Sequence, residues 1–496
     1  MKKLVSKCFK YSLFIFVMAV LFSSCRKEIS TTTGWTVNNP KNGGFEVVPY
    51  YEQETGPGLI LVEGGRFTMG AIEQDVVHQW NNVPRTQSVS SFYMDETEIK
   101  NVDWREYVYW LIRVYGADYP QVWVNALPDT LAWRDELAFT KPYVELYYRH
   151  PAYSAYPVVG VTWLQATDYC VWRTDRVNEW ILIREGILRT NPNQVNEDNF
   201  NLDTYLKGQY DGLVKDEMID LNPNNEYRKV RVEDGILLPR YRLPTESEWE
   251  FAALGLIGNT IDERILDRRI YPWNGHWVRN KEDAWQGEMM ANITRAKGDY
   301  MGVASRLNDA ADITAPVKSY WPNDYGLYQM AGNVSEWVMD VYRPLTLDDA
   351  NEFRSFRGNV YETYEKDADG YYLEKDSLGK MVMRNVDIKN PEDELDKKRN
   401  YKKSQNIDFL DGEFSSSVYY NDEGMAEPAK AKKLMYETKN HSLQSNSTRV
   451  YKGGNWKDRT YWMAPGARRF LDEDQDQDNI GFRCAMHRVG KPTSWD

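Results

Sequence analysis

Short apolar runs predict strands in the N-terminal part of the chain. Residues 59–70 contain two such runs divided by Gly64 and Gly65, an arrangement that favours two strands joined as a hairpin. Spaced apolar residues in 87–94 predict a half-buried strand as a partner for this hairpin. We therefore expect a folded domain to begin at residue 59.

A helical spacing of apolar residues follows at 101–115. Asn101 is a suitable residue to cap the helix, and Gly116 stands just past its expected end. One face of this helix would carry large side chains, namely Trp104, Tyr107, Val108 and Leu111. Aromatic residues at this spacing are typical of a protein core and not of a cofactor site.

Two further helices are predicted from capping boxes. Thr162 is followed three residues later by Gln165, and Thr245 by Glu248, so each pair can satisfy two backbone donors at a helix start. The residues expected to face the core are Ala166, Tyr169 and Cys170 in the first of these helices and Trp249, Ala252 and Ala253 in the second.

Acidic residues outnumber basic ones, and the formal net charge of the chain is −13. A surface of this sign argues against nucleic acid or an anionic lipid surface as the main partner. Glu246, Glu248 and Glu250 lie at the start of the third predicted helix. The positive end of the helix dipole is a sufficient reason for them there, so we assign none of them as a general acid.

The 496 residues include 18 Trp, 34 Tyr and 32 Gly, a composition that favours short turns held by large aromatic side chains. Three blocks at about 117–156, 176–239 and 344–447 interrupt the regular pattern and are interpreted as insertions into one domain, 59–490, before a short tail, 491–496. There is no repeat of fixed period, which excludes a solenoid or propeller.

The N-terminus is typical of an exported lipoprotein. Residues 1–24 combine lysines with an apolar run from Leu13 to Phe22, too short for a comfortable membrane span. Cys25 follows Leu-Phe-Ser-Ser, which resembles a bacterial lipobox, where the cysteine is lipidated after cleavage. Residues 26–58, rich in Thr, Asn, Gly and Pro, would then form a flexible tether between lipid and domain.

Cysteine usage fits the same compartment. Removal of the signal peptide removes Cys8, and lipidation uses Cys25, so Cys170 and Cys484 remain. Two cysteines in an exported chain favour one disulfide. Two buried free thiols are the alternative.

Six short motifs occur in an order that identifies a family. They are Gly65–Gly70, Tyr156–Trp163, Tyr241–Glu250, Gly326–Trp337, Lys452–Trp456 and Gly481–Cys484. With the three insertions excluded, the chain from Leu59 to Arg488 resembles the formylglycine-generating-enzyme (sulfatase-modifying factor) family. The resemblance implies that family's α+β fold, which is distantly similar to C-type lectins and contains much irregular structure.

The resemblance also implies where a catalytic centre would lie. Active members of the family have two cysteines just after a Gly-Gly-Ser segment, and these thiolates bind copper(I), which prefers soft sulfur ligands. This chain has no cysteine from Gly453 to Arg483; Asp458 stands near the first position, and Met463 is a weak, neutral sulfur ligand. A related branch uses iron and a three-histidine motif, which the five scattered histidines do not supply. Neither copper nor iron is therefore expected, and we predict a protein that is not an enzyme.

Two structural features are implied by the family resemblance. Cys170 and Cys484 fall on positions that form a disulfide in some members. A calcium site of the family, carried over to this chain, would use Gln329, Gly332, Val334 and Glu336, and oxygen ligands of this kind suit calcium. The alternative for Glu336 is a buried, hydrogen-bonded acid without a metal.

A narrower resemblance concerns the region after the third insertion. Gly453–Trp462 and Ala467–Phe470, together with the lipobox, are similar to lipoproteins of the type IX secretion and gliding machinery. This implies anchoring to the outer membrane on its periplasmic side, and a large ring built from copies of the chain and a GldN/PorN-type periplasmic partner. The contact surface would be the insertions, above all 344–447 with Tyr361, Tyr364, Tyr371 and Tyr372, unless these are solvated loops.

Three alternatives stay open at this stage. The chain could be a GldJ-like sister lipoprotein of the same fold. It could be an oxidase with a relocated metal site, or a sugar- or surface-binding module, since the fold is distantly similar to C-type lectins.

Overall fold

The computed structural model describes residues 28–72, 74–77, 81–214, 217–255, 268–294, 311–343, 356, 358, 360–386, 445 and 447–490. The predicted signal peptide, Cys25 and the tail 491–496 lie outside the described residues, as does most of the third insertion. The described residues form two units. The small unit lies within Met1–Glu52, Ile181–Thr190 and Leu213–Leu237, and the large unit lies within Gln53–Trp180, Asn191–Gly212 and Leu238–Asp496.

The described part of the chain mixes short helices with short strands. Its α-helices are α1 (Asn101–Tyr115), α2 (Pro120–Asn125), α3 (Lys141–Leu146), α4 (Trp163–Arg184), α5 (Leu202–Leu206) and α6 (Glu246–Leu254). Its strands are β1 (Leu59–Val62), β2 (Gly65–Met69), β3 (Arg85–Val89), β4 (Phe92–Asp95), β5 (Met218–Ile219), β6 (Tyr227–Arg228), β7 (Tyr241–Arg242), β8 (Ser335–Val341), β9 (Glu362–Tyr364), β10 (Met383–Asn385), β11 (Thr448–Lys452), β12 (Arg469–Asp472), β13 (Ile480–Gly481) and β14 (Ala485–His487).

Two four-stranded sheets organise the large unit. One has the strand order β1-β4-β14-β7, and the other has the order β12-β11-β8-β13. In the second sheet β13 runs parallel to β8, whereas β11 is antiparallel to both of its neighbours. Both sheets therefore join strands from opposite ends of the domain's sequence.

The predicted hairpin at 59–70 is wrong. β1 pairs with β4, from Leu59 opposite Asp95 to Val62 opposite Phe92, while β2 pairs with β3 in a separate two-stranded sheet. Gly64 lies so close to the Val89 carbonyl that an added Cβ would be only 2.3 Å from that oxygen. The glycine is thus needed for this close approach between two strand pairs.

The three predicted helices are confirmed. The first, α1, covers Asn101–Tyr115 with Lys100 as N-cap, one residue before the predicted cap, and Gly116 follows its end. The capping boxes of α4 and α6 form as predicted: Gln165 and Thr162 exchange bonds of 2.9 and 3.1 Å, and Glu248 and Thr245 exchange bonds of 2.9 and 3.2 Å. The inward residues predicted for all three helices are buried.

The core of the large unit lies around α6. Every residue of this helix is buried, and its apolar side chains pack with residues of β1, β2, β4 and β8. Phe251 meets Phe67 edge to face with the ring centroids 5.3 Å apart. A helix buried all round is unusual in a domain of this size, and it is the element to which the site described below is attached.

The small unit has more local structure than its composition predicts. Ile29 bridges Thr36, and Pro40–Asn42 forms a short 3₁₀ helix. The guanidinium of Arg228 contacts Asp234 at 2.6 Å and Glu46 at 2.5 Å. Residues 28–52, predicted as part of a flexible tether, are therefore hydrogen-bonded and ion-paired within this unit.

The insertions differ in their local structure. The first contains α2 and α3, and the second begins only after α4, which continues to Arg184 instead of ending near 176. The described part of the third contains the β9–β10 hairpin. No helix among the described residues has the length and apolar character needed to cross a bilayer.

Candidate functional site

The motif Gly326–Trp337 forms a tight loop that leads into β8. Gln329 and Asn333 adopt positive φ angles of 55° and 62°, which are uncommon for residues other than glycine. Between them Gly332 has φ +79°, and a Cβ there would lie 2.6 Å from the Asn292 carbonyl oxygen. The loop is thus held against its neighbour by a glycine that no larger residue can replace without displacement.

Asn333 organises the polar interior of this loop. Its side-chain amide donates to both carboxylate oxygens of Glu98, at 3.1 and 3.0 Å, and its carbonyl oxygen accepts from the backbone N–H of Ala315 at 2.7 Å. Burial raises the pKa of Glu98 well above its usual value, and the nearby charge of Glu336 raises it further. The sequence analysis missed this pair, because the 235 residues that separate Asn333 and Glu98 leave no local signal.

Glu336 is held by a buried arginine. The Arg483 guanidinium contacts the two carboxylate oxygens at 2.6 and 2.7 Å, and the indole N–H of Trp249 in α6 donates to the carboxylate at 2.8 Å. Arg483 also donates to the Tyr328 carbonyl oxygen at 2.8 Å. Glu336 and Arg483 are both fully buried, so this two-pronged ion pair ties the loop, α6 and the last strands into one centre.

These residues fit the predicted calcium site only in part. The Oε1 atom of Gln329 is buried and has no hydrogen-bond partner among the described residues, so it is an oxygen that a cation could use. Both oxygens of Glu336, however, already face Arg483 and Trp249. A carboxylate whose charge is neutralised in this way does not fit the role of the only acidic calcium ligand. Calcium binding at Gln329, Gly332, Val334 and Glu336 stays a prediction.

The first position expected for a catalytic thiol is occupied by an ion pair. One Asp458 oxygen accepts from Arg469 at 2.9 Å, and the other accepts from Arg469 and from the backbone N–H of Asn455. The Arg469 guanidinium also stacks on the ring of Trp462, 4.6 Å from its centroid. Asp458 therefore fixes the backbone turn after Gly453 and Gly454.

The second position is part of the apolar core. Met463 is fully buried and packs with Met289, Ala291, Ile293 and Ala331. A Cβ on Gly454 would lie only 2.5 Å from the Met463 methyl group. The thioether thus fills the space beside the Gly-Gly turn, where it contributes dispersion contacts.

The acidic residues of α6 are held by buried cations, which the helix-dipole explanation did not anticipate. Glu246 lies 2.7 Å from Arg468 and 3.3 Å from Lys452, and Glu250 lies 3.1 Å from the same lysine. Burial alone would raise the pKa of Glu246, but the charges of Arg468 and Lys452 lower it to about 2. The carboxylates anchor β11 and the segment before β12 to the central helix.

The predicted disulfide partners are neighbours in the structure. The sulfur atoms of Cys170 and Cys484 lie 3.4 Å apart, and both residues are buried free cysteines. A disulfide bond is about 2.05 Å long, so the two thiols are in contact and not bonded. Burial raises the pKa of the Cys484 thiol well above its usual value, and the contact with Cys170 adds to this. The disulfide stays a prediction.

Histidines do not gather near this centre. His150, His276 and His487 lie in separate segments of the chain, whereas His78 and His441 lie outside the described residues. Within the described ranges, no three residues of the types His, Cys, Asp and Glu are close enough together to hold a metal ion. The polar groups that the structure does bring together form ion pairs and amide contacts.

Comparisons with known proteins agree with the order of motifs. A family model described as "Sulfatase-modifying factor enzyme 1-like domain" matches residues 44–381. The mouse protein named "Inactive C-alpha-formylglycine-generating enzyme 2" is 24% identical over 308 residues, which is 59% of this chain and 71% of the mouse protein. The mouse formylglycine-generating enzyme is 24% identical over 298 residues, 57% of this chain and 58% of the enzyme. Its relatives thus include proteins named as inactive and proteins named as enzymes.

One solved structure illustrates the distance to other members. PvdO from Pseudomonas aeruginosa is 14% identical, with a TM-score of 0.40 over 86% of this chain and 94% of PvdO.

Proposed function

The chain belongs to the sulfatase-modifying factor family, and we propose that within this family it is a non-catalytic scaffold. Specifically, we infer a GldK (PorK)-type lipoprotein of the type IX secretion and gliding machinery. It would be anchored to the periplasmic side of the outer membrane through Cys25. There it would assemble with copies of itself and a GldN/PorN-type partner into a ring.

The filled catalytic positions carry this proposal. Copper(I) chemistry on this fold needs two thiolates after the Gly-Gly turn, and the chain has Asp458 and Met463 there. The first is committed to Arg469 and the second is packed in the core. A protein that keeps the core of an enzyme family while using these positions for packing is more readily explained by binding than by turnover.

Ion pairs across the large unit support a scaffold role. Glu336 with Arg483, and Lys452 with Glu246 and Glu250, join segments far apart in sequence through buried charges. Losing either member of such a pair is strongly destabilising because it leaves the other charge buried and unpaired. Such cross-links give a rigid frame from which inserted loops can present a binding surface.

Exposed tyrosines favour the third insertion as that surface. Tyr371 is 74% exposed, and Tyr361 and Tyr372 are also exposed. Tyr364 and Tyr372 meet edge to face, and the Lys207 ammonium lies 4.8 and 4.7 Å from their ring centroids. Tyrosines mixed with charge are enriched at protein interfaces, so we assign this cluster to partner contact.

Gentle detergent extraction of native membranes tests the scaffold. A large assembly containing this chain and one periplasmic partner is expected, with crosslinks from residues 360–386 to that partner. Recovery of only monomers at every salt concentration would contradict the proposal. The partner's identity also separates a GldK-type from a GldJ-like role.

A second experiment tests the lipid anchor. Replacing Cys25 with Ala is expected to release the folded protein into the periplasm, whereas the matched variant Cys8→Ala stays at the membrane. Retention of the Cys25→Ala protein would exclude anchoring through this residue. Oxygen consumption with a thiol peptide by protein that retains copper or iron would favour the alternative, an oxidase with a relocated metal site.

A further inference from the structure

A cavity of about 250 Å³ lies beside the helices α1 and α4. Tyr107 and Trp110 of α1 and Asp168 and Trp172 of α4 line it, and Asn199 and Lys380 come from the second and third insertions. The volume corresponds to about eight water molecules. Because two insertions contribute to its wall, this cavity belongs to what the chain has added to the family core.

Polar groups in the wall of the cavity lack partners. The indole N–H groups of Trp110 and Trp172 are buried and have no hydrogen-bond acceptor among the described residues. Buried donors are nearly always satisfied in folded proteins. The Asp168 carboxylate likewise has no hydrogen bond or ion pair in the described part of the chain, although burial raises its pKa. Two donors and one acceptor are therefore available to a molecule in the cavity.

The charges around the cavity indicate a neutral ligand. Asp168 and Asp175 contribute carboxylates, and Lys380 lies near enough to Asp168 to lower its pKa. The Arg176 guanidinium stacks on Trp110, 4.4 Å from the centroid of its ring. A cation would meet Arg176 and Lys380, and an anion would meet the two aspartates. A neutral ligand with several hydroxyl groups meets neither penalty.

We propose that this cavity binds a neutral saccharide, one sugar ring of which packs against Trp110 and Trp172 and exchanges hydrogen bonds with their indole N–H groups and with Asp168. Aromatic walls supply the apolar contact area, and the few polar groups set the orientation of the ligand. A hydroxyl group can donate to the carboxylate and accept from an indole at the same time. The site is separate from the positions of the family's catalytic thiols and does not depend on assembly into a ring.

The test uses the detergent-solubilised full chain with N-acetylglucosamine, glucose and galactose as neutral probes. Saturation-transfer NMR is expected to detect binding of at least one of them. Glucosamine, which is cationic, and glucuronic acid, which is anionic, are expected to bind about tenfold more weakly than the neutral sugar of the same ring. Equal binding of a charged analogue, or no saturation transfer from any neutral probe, would overturn the proposal.

Three variants locate the binding. Asp168→Asn is expected to weaken the affinity about tenfold, because it removes a charged acceptor, and Trp172→Phe about threefold, because it keeps an aromatic ring but loses the N–H donor. Trp277→Phe is the matched control, since Trp277 is exposed and does not line the cavity, and it is expected to bind as the original protein does. Unchanged affinity in both cavity variants would assign the binding to another surface and overturn the proposal. Thermal melting of each variant identifies loss of fold, and either cavity variant alone suffices if the other does not fold.

Discussion

The centre around Glu336 and the cavity beside α1 and α4 handle buried polar groups in opposite ways. At the centre, Glu336 and Arg483 satisfy each other, and Trp249 and the Tyr328 carbonyl oxygen add further bonds. In the cavity, two indole N–H groups and the Asp168 carboxylate have no partners in the described ranges. Saturated groups stabilise a frame, whereas unsatisfied ones in a cavity are available to a ligand.

The largest expected effect comes from breaking the centre. Arg483→Met leaves Glu336 buried without its cation, and we expect the free energy of unfolding to fall by about 3–5 kcal/mol. Urea denaturation measures this. Combining Arg483→Met with Glu336→Gln removes both charges, so the double variant is expected to recover part of the loss.

An exposed ion pair provides the control for this experiment. Lys141 and Glu145 of α3 lie 3.6 Å apart, with both side chains more than half exposed. Lys141→Met is expected to change the stability by no more than about 0.5 kcal/mol. If Arg483→Met costs as little as Lys141→Met, the Glu336 centre does not hold the frame together.

The contrast between these two regions also shows what sequence can predict. The capping boxes at Thr162 and Thr245 involve residues three positions apart, and both formed as predicted because their partners are fixed by local geometry. Lys452 pairs with Glu246 and Glu250 across 206 and 202 residues, and no local pattern encodes such a distance. The carboxylates of α6 were therefore assigned to the helix dipole when buried cations were their main partners.

Strand pairing and close packing show the same limit. The apolar runs at 59–70 are strands as predicted, but the choice of partner depends on tertiary register, so the hairpin was wrong. Asp458 and Met463 were located by counting from the Gly-Gly motif, whereas their roles as an ion-pair member and a packed thioether depend on Arg469 and Ala291, which lie elsewhere in the sequence. The cavity could not be predicted at all, because its wall combines helices and two insertions.

A smaller effect concerns the pH dependence of the cavity wall. Burial raises the pKa of Asp175 to about 6, against the lowering effect of the Leu202 backbone N–H. The folded state then holds a proton that the unfolded state has released. This contribution to stability is present below the usual aspartate pKa and is lost as the pH rises to about 6.

Asp175→Asn is expected to flatten that part of the pH profile. Urea denaturation at intervals across this pH range measures the slope for the original protein and for the variant. Asp220→Asn is a suitable control, because hydrogen bonds from Asn222 and Asn225 lower the pKa of Asp220 instead. A profile for Asp175→Asn parallel to that of the original protein would show that another group causes the slope.

Calcium removal has the smallest expected effect and distinguishes the two explanations of Glu336. If Arg483 is the resting partner of Glu336, a chelator leaves the melting temperature unchanged, because no acidic ligand is free to bind the ion. Added Ca²⁺ should then also leave it unchanged, and Gln329→Leu, which removes the unpartnered Oε1 atom, should not alter the response. A melting temperature that falls by several degrees with chelator and is restored by Ca²⁺ but not by Mg²⁺ would instead mean that the carboxylate exchanges Arg483 for the metal, as the family resemblance implies.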